Sequence, residues 1–223
     1  MRYSYLNPMK TVLLLFVLLF SSALSAIDNE GDERFIFFLH NRFLEDNALT
    51  VRHPEFGNVQ YKEVLSAFRE KGFTVLSEKR KGNVFPKTYA LKVRDQIDSL
   101  MATGVAPTNI TVVGTSKGGY IAQYVSTFAK NPDLNFVFIG CYMEDDIQFM
   151  PDINFCGNIL TIYEKTDPSG VSALGRKEVS TCTIKHFKEI ELDTGMRHGF
   201  LFRALKEWID PSAAWASGEY DSE

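Results

Sequence analysis

Asn109-Ile110-Thr111-Val112-Val113-Gly114-Thr115-Ser116-Lys117-Gly118-Gly119 is the stretch on which the reading of this chain turns. Ile110 to Val113 is a β-branched run of the kind that forms a buried strand, and Tyr120, Ile121, Tyr124 and Val125 recur at helical spacing directly after it. Between the two lies G-x-S-x-G. A strand that becomes a helix within so few residues pushes the hydroxyl of Ser116 out of the sheet, toward whatever binds above it. The flanking glycines have a mechanical purpose, because a Cβ at Gly114 or Gly118 would collide where the chain doubles back. A serine presented in this way is a candidate nucleophile. The competing reading is a structural turn that happens to contain a serine.

Outward from this turn the chain alternates. Arg34–Leu39, continuously apolar after its first residue, and the largely apolar Phe73–Leu76, Phe136–Ile139 and Ile159–Tyr163 read as strands covered on both faces, and Ile184–Leu192 is a weaker strand. Between them, helix spacing recurs at Tyr61, Val64, Leu65 and Phe68, closed by Gly72, and at Tyr89, Val93, Ile97, Leu100 and Met101, closed by Gly104. Lys79–Lys87 is a basic loop. A last helix is expected over Phe200–Ile209, ending before Pro211. Such alternation predicts an α/β three-layer sandwich of about six mostly parallel strands with helices on both faces. Sites in such sheets form at the carboxyl ends of the strands.

Within the 223 residues, Arg2 and Lys10 precede an apolar run from Val12 to Phe20, followed by Ser21-Ser22-Ala23-Leu24-Ser25-Ala26. This is the layout of a secretory signal peptide over residues 1–26, and the apolar core is short for a spanning helix. An uncleaved anchor is the alternative. Residues 27–211 then suit a single domain, and 212–223 read as a loose acidic tail. Losing Arg2 and Lys10 with the leader leaves 22 basic side chains against 28 acidic, net −6. That balance argues against nucleic acid or an anionic membrane as the main partner, while the leader places the protein in the secreted or periplasmic space. Export permits a disulfide. Among Cys141, Cys156 and Cys182 the favoured pair is Cys156 with Cys182, three unpaired thiols being the alternative. The spacing contains no metal-ligand pair, and neither a metal nor a cofactor is called for.

A serine hydroxyl needs a base, and the base an orienting carboxylate. Of His40, His53, His186 and His198, the last stands in a glycine-flanked loop, Asp193-Thr194-Gly195-Met196-Arg197-His198-Gly199, that would overhang the carboxyl edge of the sheet. His186 falls inside the weak strand and reads as an edge histidine in water. Asp167, after the strand Ile159–Tyr163, is the first choice of carboxylate, with Asp145 or Asp146 in reserve and Glu164 and Asp193 as outsiders. For a negative oxygen, the backbone N–H groups of Lys117, at a helix start, and of Asn41 or else Arg42, in the loop after Leu39, are the natural donors. The Lys117 side chain reads as solvated.

With Ser116, Asp167 and His198 in that order, residues 33–210 resemble the α/β-hydrolase fold superfamily, whose elbow is matched by Gly114-Thr115-Ser116-Lys117-Gly118. The resemblance implies an acyl-enzyme mechanism on a small ester, thioester or amide: Ser116 attacks, His198 moves the proton and Asp167 fixes the imidazole. Two departures stand out. His40-Asn41 replaces the family's His-Gly step, and the short connection from Ile139 to Asn158 leaves room for no large lid. The simplest expectation is an exported carboxylesterase, a thioesterase, peptidase or acyltransferase using the same residues. The rival from another class is a non-catalytic ligand- or protein-binding member of the same fold.

Overall fold

The computed structural model describes residues 33–221; the leader expected over 1–26 lies outside the described residues. The chain runs β1 (Phe35–Leu39), α1 (Phe43–Asp46), a hairpin of β2 (Arg52–His53) and β3 (Gly57–Asn58), α2 (Tyr61–Glu70), β4 (Thr74–Leu76), α3 (Pro86–Ala102) and β5 (Ile110–Thr115). It continues through α4 (Lys117–Ala129), β6 (Asn135–Ile139), α5 (Asp146–Phe149), β7 (Gly157–Glu164), α6 (Leu174–Val179), β8 (Ile184–Leu192), a 3₁₀ turn at Arg197–Phe202 and α7 (Lys206–Ala216). Six strands form one sheet in the order β4-β1-β5-β6-β7-β8, and every pairing in it is parallel.

The two-residue period of a strand divides the core in two. Ile36 and Phe38 of β1, Val137 and Ile139 of β6 and Leu160 and Ile162 of β7 pack with α2 and α7. Phe37 and Leu39, Phe136 and Phe138, and Ile159 face α3 and α4 on the other side. Burial on both faces is why these strands read as unbroken apolar runs. Gly72 ends the α2 turn with φ +90° and Gly104 follows α3 with φ +102°, conformations that glycine adopts without strain.

The chain leaves β1 for β4 on one side, then crosses back to β5 on the other. Adjacent strands whose connections run in opposite directions open a crevice at their carboxyl ends. The exits of β1 and β5, carrying His40-Asn41 and Ser116, border that crevice.

The loose tail expected over 212–223 is corrected as far as Tyr220. The final helix is Lys206–Ala216, with Pro211 inside it. Proline removes one backbone donor and crowds the preceding turn, a cost of about 3 kcal/mol. Here Trp208, Ile209, Ala213, Trp215 and Ala216 are all buried on the sheet, and each large apolar side chain so buried returns roughly 1.5–3 kcal/mol. Tertiary burial outweighs the local breaker. Beyond the helix, Tyr220 packs on Trp215 at 4.9 Å between centroids and stacks on His186 at 4.2 Å, so His186 lies on the edge strand β8 as expected but is a half-buried ring partner there instead of standing in water. The expected start of the last helix at Phe200 is the 3₁₀ turn instead, its Phe200, Leu201 and Phe202 buried.

Cys156 and Cys182 form a disulfide between the chain entering β7 and the chain entering β8. Cys141 is free and buried against the Gln123 side chain.

Candidate active site

Ser116 sits between β5 and α4 with φ 51° and ψ −120°, outside the ordinary basins of an L-residue, at a cost on the order of 1–3 kcal/mol. The surroundings that hold it there are backbone. The Ser116 N–H donates to the Ile139 carbonyl at 2.9 Å. A Cβ on Gly114 would stand 2.3 Å from the Gly118 carbonyl oxygen, and one on Gly118 would stand 1.9 Å from that of Leu39. Both glycines are therefore required, as the sequence implied. Gly119 is required too, since a Cβ there would meet Cys141 Sγ at 2.3 Å. Nothing in the G-x-S-x-G pattern signals that third glycine.

His198 closes the distance from the far side of the sheet. β8 lies three strands from β5, about 14 Å at ordinary spacing, so the loop after β8 must lean back. Arg197, at φ 51°, and Gly195, at φ +67°, turn it, while Gly199 fits against the Phe56 ring, where a Cβ would meet it at 2.7 Å. The result is His198 Nε2 at 3.0 Å from Ser116 Oγ and His198 Nδ1 at 2.6 Å from Asp167 Oδ2. Asp167 is buried and its other oxygen accepts the Ser169 N–H at 2.9 Å. A carboxylate on Nδ1 keeps the proton on that nitrogen and leaves Nε2 free to accept one from the serine. His198 retains 23% of its side-chain exposure, so the imidazole is reachable from solvent.

The reserve carboxylates are elsewhere. Asp146 is buried, accepting the Tyr120 hydroxyl and the Met143 N–H, each at 2.8 Å, and Asp145 is exposed at the start of α5. Glu164, read as an outsider, has a part the sequence did not signal. It is buried at the end of β7. One oxygen accepts the N–H groups of Thr194 and Gly195 at 3.0 Å each, and the other accepts the Thr166 N–H at 2.7 Å and hydroxyl at 2.6 Å. One carboxylate thus clamps the loop bearing Asp167 to the loop bearing His198. Burial pushes its pKa up, but the Thr166 hydroxyl and the three N–H donors outweigh that and hold it below the usual range.

The two backbone donors expected for a negative oxygen lie on facing segments. Lys117 opens α4, whose first N–H groups have no partner within the helix. Asn41 follows β1, buried, its side-chain Oδ1 accepting the Leu44 N–H at 3.4 Å. The close approach of Gly118 to the Leu39 and His40 carbonyls brings the two segments together. The Lys117 side chain is not solvated as expected: Nζ donates to Glu45 Oε2 at 2.5 Å and Asn83 Oδ1 at 2.9 Å. The connection from β6 to β7 contains only the four-residue α5.

No protein-family model and no curated protein sequence matches the chain; the likeness is in the backbone. The chain is similar to an α/β hydrolase from a Medee basin deep-sea metagenome library, at 12% identity over 89% of each chain and a TM-score of 0.59. It is similar to an esterase of Pyrobaculum calidifontis, at 15% identity over 86% of this chain and 79% of that one, TM-score 0.58. A thermostable carboxylesterase cloned from a metagenomic library matches at 15% identity over 86% of this chain and 82% of that one, TM-score 0.57. The parallel sheet, the strained turn after β5 and these solved structures agree: the chain has the α/β-hydrolase fold.

Proposed function

We propose that the chain is an exported serine hydrolase that cleaves an ester or related acyl bond through an acyl-enzyme intermediate. The observation that carries this reading is the unbroken hydrogen-bond chain from Ser116 through His198 to Asp167. Ser116 Oγ attacks the acyl carbon while its proton passes to His198 Nε2. The carbonyl oxygen, now negative, is received by the N–H groups of Lys117 and Asn41. As the intermediate collapses, the bond to the leaving group breaks and His198 returns the proton to it. Water then repeats the sequence on the acyl-serine, releasing the acid and restoring Ser116. Asp167 keeps its charge throughout and stabilises the imidazolium.

A carboxylesterase on small substrates is the simplest form, in line with the esterases it is similar to; thioesters and amides would meet the same residues. The acidic balance of the chain and the short β6–β7 connection favour a small soluble substrate over nucleic acid or a membrane surface. Secretion is supported by the leader-like residues 1–26 and by the Cys156–Cys182 disulfide.

Hydrolysis of p-nitrophenyl acetate tests the reading. Wild type should turn over, and Ser116→Ala or His198→Ala should each lose about 10³-fold or more in kcat with the melting temperature little changed. A folded His198→Ala that retains full activity rules out the assigned base.

A further inference from the structure

We propose that Glu45 and Arg80 are positioning residues, forming with the Lys117 side chain a buried brace that aims the two backbone donors at the oxyanion. The proposal rests on the serine-hydrolase reading and identifies what holds that site's oxyanion hole together.

The hole is built from peptides of two distant segments, and the segment after β1, His40-Asn41-Arg42, has no glycine to shape it. Arg80, from the loop between β4 and α3, compensates. Its side chain is fully buried. Its backbone N–H donates to His40 Nε2 at 2.8 Å, and its Nη2 donates to the carbonyl oxygen of His40. That carbonyl belongs to the same peptide unit as the Asn41 N–H. In a trans peptide the two bonds point in opposite directions. A guanidinium on the oxygen therefore sets the direction of the N–H, and by drawing electron density toward the oxygen it makes the N–H a stronger donor.

The brace continues to the second donor. Arg80 Nε donates to Glu45 Oε1 at 2.8 Å, and Glu45 Oε2 accepts Lys117 Nζ at 2.5 Å. Glu45 has a side-chain exposure of 0% and Lys117 of 13%. One carboxylate between two cations leaves an excess positive charge beside the place where the oxyanion forms. Lys79 also lies near enough to disfavour a charge on His40. His40 stays neutral, donating from Nδ1 to the Asn41 carbonyl at 2.7 Å. Buried ions are a poor device for stability alone, because desolvation consumes most of their attraction. Their placement on the peptide of Asn41 and on the side chain of Lys117 ties them to the site.

The test uses p-nitrophenyl acetate and a short alkyl trifluoromethyl ketone, which forms a tetrahedral adduct with an active serine. Glu45→Gln removes the charge but not the shape. Lys117→Met keeps the backbone donor and, at a partly exposed position, keeps the fold even where the buried variant does not. Each should lower kcat about 10- to 100-fold with KM changed no more than about threefold, and should weaken the ketone in the same proportion. The double variant should be no worse than the poorer single one, since both break the same brace. Folded Lys117→Met with kcat and ketone affinity within about twofold of wild type overturns the proposal. Wild type that neither turns over the ester nor binds the ketone overturns the hydrolase reading instead, and the brace falls with it.

Discussion

At Ser116 the chain keeps a strained backbone so that one hydroxyl meets one imidazole, and neighbouring residues each answer for part of that arrangement. Ser116, Asp167 and His198 were legible because their signals are local: a serine between glycines, an acid after a strand, a histidine in a glycine-flanked loop. Glu164 was not, because its purpose appears only when the β7 and β8 loops are side by side. Glu164→Gln should lose about 1–3 kcal/mol by urea unfolding at pH 7, where an amide NH₂ would face donors that need an acceptor. The folded carboxylate titrates below its ordinary 4.5, so its contribution is complete above that pH and disappears as the pH falls through the folded value. The gap between wild type and variant should therefore close in acid. His40 behaves in the opposite chemical sense with the same direction in pH. Burial first, and then Arg80, lower its pKa from 6.5 to about 3. Between those values the unfolded chain binds a proton that the folded one refuses, and stability falls by about 1.4 kcal/mol per pH unit on acidification. A folded His40→Gln should show an acid limb shallower by about one proton across that window; an unchanged slope would mean that His40 is protonated in the folded state.

Among the elements, the sheet strands were readable because burial on both faces leaves nothing to interrupt the apolar run, and α2 and α3 because one face alone is apolar. The elements that escaped are those whose stability comes from elsewhere. The helix through Pro211 persists because Trp208 and Trp215 are buried and because Trp215 Nε1 donates to the Asn158 carbonyl at 3.2 Å; local propensity could only place its end too early. The four-residue helices α1 and α5 and the two-residue strands β2 and β3 are too short to carry a period. α1 nonetheless supplies Glu45, and the basic loop before α3 supplies Arg80, so the β1 exit is held by one element too short to read and by a legible loop whose buried partners the sequence did not signal. The disulfide staples the approaches to β7 and β8, the two strands that deliver Asp167 and His198. Cys182→Ser should lower stability by about 2–4 kcal/mol in thermal or urea unfolding, and Cys141 should resist iodoacetamide in the folded protein, since burial pushes its thiol up to about 12. A Cys182→Ser variant as stable as wild type would show that the staple contributes nothing to the fold.

Over the whole molecule, a parallel sheet with a topological switch gathers residues from the exits of β1, β5, β7 and β8 at one edge, and the positions 41, 116, 167 and 198 are neighbours only through that topology. The most direct measurement of their joint purpose is intact mass spectrometry after incubation with a fluorophosphonate, followed by peptide mapping. One equivalent of phosphonyl group should attach to Ser116, and Ser116→Ala should remain unlabelled. A folded wild-type protein that stays unmodified, or that carries its adduct on a residue other than Ser116, is incompatible with Ser116 as the nucleophile.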